Sequence, residues 1–295
     1  MISLQTFLQQ IINALSLGSI YALLALGYSM VYGIIKLINF AHGDIYMLGA
    51  FTAYFVINIW HFNFITALLA AMVISALSGV LIEYFAYRPL RKSPRIAVLI
   101  TAIGVSFLLE NGMSYLVGSN ARSFPQVIAQ VNYSMGGILI SNIQILILGI
   151  ALILMVLLQL IIKKTKMGRA MRAVSVDPDA AELVGINVNQ TISFTFALGS
   201  ALAGAAGILI GMYYNSIDPL MGMTPGIKAF VAAVLGGIGS VPGAAFGGFL
   251  IGILETLFQS VGLSAYKDAV VYLVLIIILL FLPAGIFGKN IKEKV

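Results

Sequence analysis

The chain has 295 residues, of which 61% are hydrophobic and 9% are charged, and its formal net charge is +6. Because soluble domains average about 25% charged residues, this composition excludes a soluble globular protein and indicates a multi-pass membrane protein. The sequence contains no cysteine, which excludes disulfides and Cys-ligated metal sites. The basic residues cluster in loops, so the positive charge reflects membrane topology and not nucleic-acid binding.

The first part of the chain predicts four membrane spans. Residues 45–82 carry no charged side chain and are too long for one crossing of about 20 residues, so the polar, aromatic stretch 58–63 is interpreted as a turn at the membrane surface. The loop 88–95 has four basic residues and no acid, which predicts a cytoplasmic location. Three spans precede this loop, so the N-terminus is predicted to lie outside. The predicted spans are about 7–35, 37–59, 62–87 and 97–117.

The second part predicts an outer polar segment at 118–137, further spans and a cytoplasmic C-terminus. The C-terminal prediction rests on three closing lysines, Lys289, Lys292 and Lys294. Residue 225 is predicted to lie outside, so an odd number of crossings must follow it, from 226–258 and a last span. The predicted spans here are about 138–162, 191–214 and 269–288. Together these features predict an all-α polytopic membrane protein of about eight transmembrane helices in one domain, residues 1–295.

Residues 163–190 form the polar stretch between two long uncharged runs, and they hold five of the sixteen basic residues. The stretch must therefore stand outside the bilayer. Asp177 is a good N-cap, Pro178 suits the first helical position and Gly185 suits the position after the helix end. This pattern predicts a short amphipathic helix at the membrane surface, and an ordinary solvated loop is the alternative. The residues predicted to share one face of this helix are Ala180, Leu183 and Val184.

Residues 226–258 are apolar but are interrupted by a glycine-rich stretch at 236–243. An interrupted segment is tolerated in a membrane only where protein or a water-filled cavity satisfies the freed backbone groups, so two half-length helices or two short spans are predicted. The stretch 38–44 weakly resembles this break, since each is followed by a span rich in small residues. This similarity predicts that the chain consists of two loosely related halves. Paired breaks indicate a translocation path near the midplane, and packing alone is the alternative explanation. The candidate path residues are Asn39, His42, Asp44, Gly236, Gly237, Gly239, Ser240 and Pro242.

The densest polar cluster within the predicted spans consists of Asn39, His42 and Asp44. Ionisable residues at such positions normally face the bundle interior or a cavity. The cluster is interpreted either as part of a path or proton relay, or as a structural pair across a helix break. The sequence leaves both interpretations open.

Four further ionisable residues lie within or beside the spans. Glu83 is close to the basic loop and is predicted to be a structural partner of Arg88. Lys228 lies near an outer edge, and its side chain is predicted to extend towards the membrane surface. Glu110 is expected to face the bundle interior, and Glu255 is expected to face either another helix or the path.

The sequence lacks the motifs of enzymes and nucleotide-binding proteins. It contains no G-x-x-x-x-G-K-[ST] loop, so an ATP-driven mechanism requires a separate ATPase chain. There is no H-E-x-x-H motif, and the two histidines are far apart, so no metal site is predicted. No Ser-His-Asp set or carboxylate pair is present, and no catalytic residue is predicted.

Five stretches together resemble the permease subunits of branched-chain amino acid ABC importers, and the resemblance covers essentially the whole chain. The five stretches are Asn13–Tyr28, Asn39–Asp44, Met167–Arg172, Asp177–Ile186 and Lys228–Gly243. The resemblance implies a protein of the bacterial inner membrane that translocates leucine, isoleucine or valine. It also implies that residues 168–186 are the cytoplasmic segment that docks on an ATPase. The residues implied in this coupling are Gly168, Arg169, Ala170, Arg172, Asp177, Pro178, Ala180, Ala181, Glu182 and Gly185.

The same resemblance implies a set of partner proteins. These are a paralogous permease subunit, two ABC ATPase subunits that use ATP and Mg²⁺, and a periplasmic amino-acid-binding protein. The chain itself is expected to bind no cofactor.

Other functions remain open on the sequence alone. A proton-coupled secondary transporter would use His42 and Asp44 and would work without an ATPase. A membrane-embedded enzyme would need a clustered catalytic set, which the sequence lacks. Related ABC permeases carry urea, short amides or sugars, and no side-chain pattern in the sequence separates these substrates from leucine.

Overall fold

The computed structural model describes residues 4–288, and this part of the chain contains eleven α-helices. The three lysines used above to place the C-terminus lie outside the described residues. A π-helical turn at Glu83–Tyr87 extends α3, and a 3₁₀ turn at Ser264–Tyr266 leads into α11. The helices are α1 Leu4–Ile35, α2 His42–Asn58, α3 Phe64–Ile82, α4 Arg95–Val117, α5 Asn142–Lys164, α6 Lys166–Val176, α7 Pro178–Leu183, α8 Val188–Tyr214, α9 Met223–Gly236, α10 Val241–Ser260 and α11 Lys267–Phe281.

Seven of these helices are long and apolar enough to cross a membrane by length and composition. They are α1, α3, α4, α5, α8, α10 and α11. The helix α2 is slightly shorter, at 17 residues, and is largely buried. With α2 included, the prediction of about eight spans in an all-α membrane protein is confirmed. The predicted span at 37–59 begins later than expected, because residues 37–41 form the connection that precedes α2.

The segment 118–137, predicted only as polar, contains short strands, and residues 138–141 of the predicted span 138–162 form a strand, so the helix of that span begins at Asn142. The strand β1 Arg122–Ser123 pairs antiparallel with β4 Ser216–Ile217, which follows α8. The strands β2 Asn132–Met135 and β3 Ile138–Ser141 form a hairpin that leads into α5. We term this end of the bundle the hairpin end.

The opposite end of the bundle carries the loop 88–94 together with α6 and α7, and we term it the basic end. These parts lie close together, since Arg91 Nη1 donates a hydrogen bond to Asn189 Oδ1 at the start of α8, 2.7 Å away. The short helix α7 comes immediately before α8. The two basic stretches of the sequence therefore lie at the same end, as the topology prediction requires.

The helices α1 and α8 form the centre of the bundle and are mostly buried, whereas α4, α5 and α11 lie at the periphery with their long aliphatic side chains exposed. Small residues allow the central helices to approach closely. A Cβ atom at Gly207 of α8 would overlap the carbonyl oxygen of Tyr46 in α2. A Cβ atom at Gly252 of α10 would overlap the backbone of Gly18 in α1. The glycines of the sequence thus determine which helices pack together.

The predicted break in 226–258 is confirmed, because α9 and α10 form a helical hairpin joined at residues 237–240. Gly237 has a φ of +99°, which a residue with a side chain rarely adopts. Ser240 caps α10 by accepting a hydrogen bond from the Gly243 N–H at 3.2 Å. At 14 residues, α9 is roughly 21 Å long, whereas the hydrocarbon core is about 30 Å thick. The helix α9 is therefore shorter than a full span, and α10 is full-length.

Candidate functional site

The first candidate site is the segment α6–α7 at the basic end, whose start is fixed by local capping. The Thr165 hydroxyl oxygen accepts a hydrogen bond from the Gly168 N–H at 3.0 Å and caps α6. Gly168 packs so tightly on the end of α5 that a Cβ atom would overlap the Ile161 and Ile162 carbonyl oxygens. Arg172 also donates a hydrogen bond to the Ile162 carbonyl. These contacts fix α6 to the last turn of α5.

The capping pattern predicted for α7 is present. Asp177 Oδ1 accepts hydrogen bonds from the Asp179 and Ala180 N–H groups, both at 3.0 Å, and Pro178 is the first helical residue. At the other end, Gly185 has a φ of +85°. Its N–H donates to the Glu182 carbonyl at 2.9 Å, and the next N–H donates to the Ala181 carbonyl at 3.0 Å. This is a Schellman motif, so both ends of α7 are specified by local sequence.

The segment α6–α7 presents an exposed apolar surface, which we term the α7 face: Val176, Leu183 and Val184. Their side chains are 87%, 88% and 76% exposed. Ala181 is instead buried against the bundle, at 3% exposure. Of the predicted coupling residues, Gly168 and Ala181 are buried and Ala170 is half-buried, while the remainder are exposed. The exposed ones are Arg169, Arg172, Asp177, Pro178, Ala180, Glu182 and Gly185.

Glu83 holds the loop 88–94 in place through two ion pairs. Its buried carboxylate pairs with Arg88 at 3.2 Å and with Arg91, and it accepts a hydrogen bond from the Ser193 hydroxyl of α8 at 2.6 Å. The predicted Glu83–Arg88 pair is therefore present. Burial lowers the pKa of the Arg91 guanidinium, while the Glu83 carboxylate opposes this change. The π-helical turn that begins at Glu83 brings these groups together at the junction of α3, the loop and α8.

The predicted polar cluster near the start of α2 does not form a mutual side-chain pair. Asn39 Oδ1 accepts a hydrogen bond from the Tyr87 hydroxyl at 3.1 Å. His42 packs edge-on against Tyr28, with ring centroids 4.7 Å apart, and its Nε2 has no hydrogen-bond partner among residues 4–288. Asp44 contacts α4, because its Oδ2 accepts a hydrogen bond from the Ser106 hydroxyl of that helix at 2.5 Å. The three side chains thus contact three different helices.

Asp44 lines a cavity of about 190 Å³ between α1, α2, α4 and α9. Glu110 lines the same cavity and lies within hydrogen-bonding reach of Asp44. Ser106 is the middle residue of α4, so the cavity lies at mid-depth in the bundle. We term it the mid-depth cavity. The sequence predicted no partner for Glu110, because its partner Asp44 lies 66 residues earlier in the chain, on α2.

The glycine-rich connection between α9 and α10 lies elsewhere, at the basic end. The Gly239 N–H donates a hydrogen bond to the Ser29 hydroxyl at 2.9 Å, and the Phe287 N–H donates to the Gly236 carbonyl at 3.1 Å. The connection also borders a small cavity of about 100 Å³ that Met171 and Arg172 of α6 line. The candidate path residues in this connection and in the first turn of α10 therefore lie beside α6 and away from the mid-depth cavity. They are Gly236, Gly237, Gly239, Ser240 and Pro242.

Lys228 does not extend to the membrane surface as predicted, since it is buried in an ion-pair network between helices. Its Nζ lies 3.0 Å from Glu255 Oε2 and 2.6 Å from Asp268 Oδ1. Glu255 also pairs with Lys267 at 3.1 Å and accepts a hydrogen bond from the Tyr21 hydroxyl at 2.7 Å. The network joins α1, α9, α10 and α11. The prediction for Lys228 was wrong because its partners lie 27 and 40 residues further along the chain.

Known proteins of similar sequence are membrane transport components. The family described as "Branched-chain amino acid transport system / permease component" matches residues 10–279. BraD of Pseudomonas aeruginosa, a high-affinity branched-chain amino acid transport system permease protein, is 43% identical over 98% of this chain and 98% of its own. LivH of Escherichia coli K12, with the same description, is 42% identical over 98% of each chain.

A similar fold occurs in a solved structure, PsaBC from Streptococcus pneumoniae in complex with Fab. The TM-score is 0.51, and the alignment covers 93% of this chain and 92% of that chain at 14% sequence identity. At this identity the likeness concerns the fold alone. Within residues 4–288, no three His, Asp or Glu side chains are placed to hold a metal ion.

Proposed function

Because the chain belongs to the family of permease components of branched-chain amino acid transport systems, we propose that it is a membrane-spanning subunit of an ATP-driven importer of leucine, isoleucine and valine. The observation that carries the proposal is full-length similarity, at 42–43% identity, to permease proteins named for this transport. The chain supplies the path, and separate ATPase subunits bind and hydrolyse ATP with Mg²⁺.

The α7 face is the docking surface for an ATPase subunit. Three aliphatic side chains that are each at least 76% exposed lie within the polar stretch 163–190. Exposed apolar side chains surrounded by polar residues are typical of protein interaction sites. The double-capped α7 and the tightly seated α6 hold this surface rigidly on α5 and α8, so a movement of the ATPase is transmitted to the bundle.

A second route for this transmission is the α9–α10 connection, which shares a small cavity with Arg172 and Met171 of α6. A displacement of α6 therefore reaches α9, which borders the mid-depth cavity. In this proposal the predicted coupling residues and the predicted glycine-rich path residues act in one chain of contacts.

The complete importer contains a second permease, two ATPases and a binding protein that delivers the amino acid. The basic end faces the cytoplasm, since basic loops are retained on that side, and the hairpin end faces the binding protein. The N-terminus is then outside and the C-terminus is cytoplasmic. A reporter fused after Val295 is expected to be cytoplasmic, and a signal from outside the cell would reverse the orientation.

The alternatives are less well supported. A proton-coupled secondary transporter gives no role to the exposed α7 face. Permeases for urea, short amides or sugars remain close in mechanism, but the full-length relatives carry names for branched-chain amino acids.

The docking proposal is tested by replacing the α7 face and purifying the chain with its partners. Leu183→Ser combined with Val184→Ser is expected to reduce co-purifying ATPase about tenfold or more, since each deeply buried aliphatic contact contributes about 1.5–3 kcal/mol. The matched control is Val261→Ser, an exposed valine at the far end of α10. Undiminished ATPase in the double variant would contradict the docking assignment.

A further inference from the structure

The mid-depth cavity combines three features that suit a free α-amino acid. Two carboxyl groups lie on one side, the first turn of α9 lies on another, and apolar side chains form the remaining wall. We propose that this cavity binds the substrate zwitterion, with its ammonium group on Asp44 and Glu110 and its carboxylate at the N-terminus of α9. The inference rests on the proposed function and identifies where within this chain the amino acid binds.

The size and walls of the cavity fit one small aliphatic ligand. Its volume of about 190 Å³ is below the roughly 300–1,000 Å³ of pockets for drug-sized molecules. Four aromatic rings and two isoleucine side chains line it, namely Tyr28, Phe40, Phe107, Phe230, Ile103 and Ile227. Transfer of a branched aliphatic side chain from water to contact with such a wall has a favourable free energy.

The two carboxyl groups of the cavity form no ion pair with a basic side chain within residues 4–288. Glu110 is only 6% exposed and Asp44 only 2% exposed. Asp44 accepts the Ser106 hydroxyl and lies within hydrogen-bonding reach of Glu110, so the two carboxyl groups are close enough to share one proton. No Lys or Arg lines the cavity. Two neighbouring carboxylates repel each other, and an ammonium group between them relieves this repulsion and supplies three donors.

The N-terminus of α9 favours a negatively charged group, whereas the two carboxyl groups favour a positively charged one. Gly222 and Gly226 line the cavity, and α9 has no side-chain cap at this end. Within the described residues, the Thr224 N–H forms no hydrogen bond to backbone or side chain outside the helix. The Met223 N–H donates to the Leu220 carbonyl and Pro225 has no N–H, so Thr224 supplies the free N–H of this turn within the described residues. This N–H and the helix dipole favour a carboxylate. The two glycines allow the start of α9 to pack closely on the start of α2, because a Cβ at Gly226 would lie 3.1 Å from Gly43 Cα and a Cβ at Gly222 would overlap the Gly43 carbonyl oxygen.

The carboxyl groups and the helix end lie on different helices, so binding depends on the relative positions of α4, α2 and α9. The helix α4 is loosely attached, with most of its surface exposed, and the Ser106–Asp44 hydrogen bond is its polar link to α2. Movement of α4 or α9 therefore changes the distance between the two charge-binding groups. This gives the site a means to release its ligand during transport.

The test uses the absence of cysteine in the natural chain. Met223→Cys places a single thiol in the cavity wall, and its reaction with a small methanethiosulfonate reagent is followed in membranes containing the whole transporter. At an L-leucine concentration about ten times its dissociation constant, mass action is expected to slow labelling about tenfold. Leucinamide lacks the carboxylate and 4-methyl-2-oxopentanoate lacks the ammonium group, so each is expected to protect less at equal concentration. The control is Leu108→Cys on the outer side of α4, which leucine is expected not to protect.

Asp44→Asn and Glu110→Gln are then introduced with Met223→Cys. Each is expected to raise the leucine concentration needed for half-protection about 30-fold or more, as for loss of a buried charge partner. Asn111→Ala, an exposed change at the next position of α4, is the matched control.

The outcomes separate the inference from the proposed function. A transporter that accumulates leucine with ATP but shows no leucine protection of Met223→Cys overturns the binding site alone. Protection that both acid variants retain unchanged also overturns it. A natural chain whose complete transporter takes up no leucine overturns the proposed function, and the inference with it. Because protection in Met223→Cys is measured with both acids present, misfolding of an acid variant does not obscure the result.

Discussion

The buried ion-pair network of Lys228 gives the sharpest prediction about how the bundle is held together. The network contains two cations and two anions, so its net charge is zero. Lys228→Met removes one cation and leaves one net negative charge, while Glu255→Gln removes one anion and leaves one net positive charge. The double variant restores a net charge of zero.

The loss of stability in Lys228→Met depends on which partners the remaining charged groups keep. Removing one member of a buried pair costs about 3–5 kcal/mol. The lower value, about 3 kcal/mol, applies here, because in Lys228→Met the Glu255 carboxylate keeps Lys267 and Tyr21. Asp268, whose side chain is 41% exposed, can be hydrated. We expect the double variant to lose much less than the sum of the single variants, with a coupling energy of about 1–3 kcal/mol.

The assay is thermal stability in mild detergent, measured as the fraction of the chain that remains monodisperse after heating. A loss of about 3 kcal/mol in stability corresponds to a fall of about 6 °C or more in the midpoint temperature of this heating curve for a chain of this size. The control is Lys267→Met, because that side chain is 30% exposed and solvent compensates for its loss. Single variants within about 2 °C of the natural chain, or a double variant as unstable as the sum, would refute the reasoning.

Three further predictions concern packing and the basic end. Gly207→Leu is expected to block the approach of α2 and α8 and to prevent stable insertion, whereas Gly149→Leu, which has open space around its Cβ, is expected to insert normally; both are measured by membrane yield. Gly185→Val is expected to cost about 1–2 kcal/mol at a positive φ and to lower ATPase retention, while Gly185→Asn is expected to be tolerated. Glu83→Gln is expected to speed tryptic cleavage of the loop 88–94 about tenfold or more, and an unchanged rate would show that Glu83 does not anchor it.

Local sequence chemistry predicted the helix α7 well, whereas the helix α6 was not predicted. Asp177, Pro178 and Gly185 act through groups within a few residues of themselves, so each role can be read without tertiary structure. The orientation of α7 was not predictable in this way. Ala181 is buried while Leu183 and Val184 are exposed, because the partner surface on the bundle decides which side of a short helix faces inwards.

Interactions between distant residues were not predictable from one sequence. The two partners of Lys228 lie on α10 and α11, and no local pattern distinguishes a buried ion pair from a lysine that extends to the surface. The pairing of β1 with β4 joins segments almost a hundred residues apart, and each strand has only two residues. Such short strands give no periodic signal.

The composition of the mid-depth cavity was likewise not predictable from the sequence, because its residues are distant in the chain. Asp44 was a candidate path residue because ionisable side chains in spans normally face the bundle interior or a cavity, and a structural pair was the alternative. The contribution of Glu110 and of the α9 N-terminus emerged only when the fold placed α4 and α9 beside α2. The glycine-rich break was predicted correctly as a break, but its position beside α6 depends on how the α9–α10 hairpin packs against α1.

The most direct test of the central claim is uptake by proteoliposomes that contain the purified complex of this chain and its partners. Radiolabelled leucine and the binding protein are supplied outside, and ATP with Mg²⁺ is enclosed inside. We expect accumulation that requires the enclosed ATP and continues when a proton ionophore collapses any proton gradient. Accumulation without ATP that is driven by an imposed proton gradient would contradict the account and establish a secondary transporter.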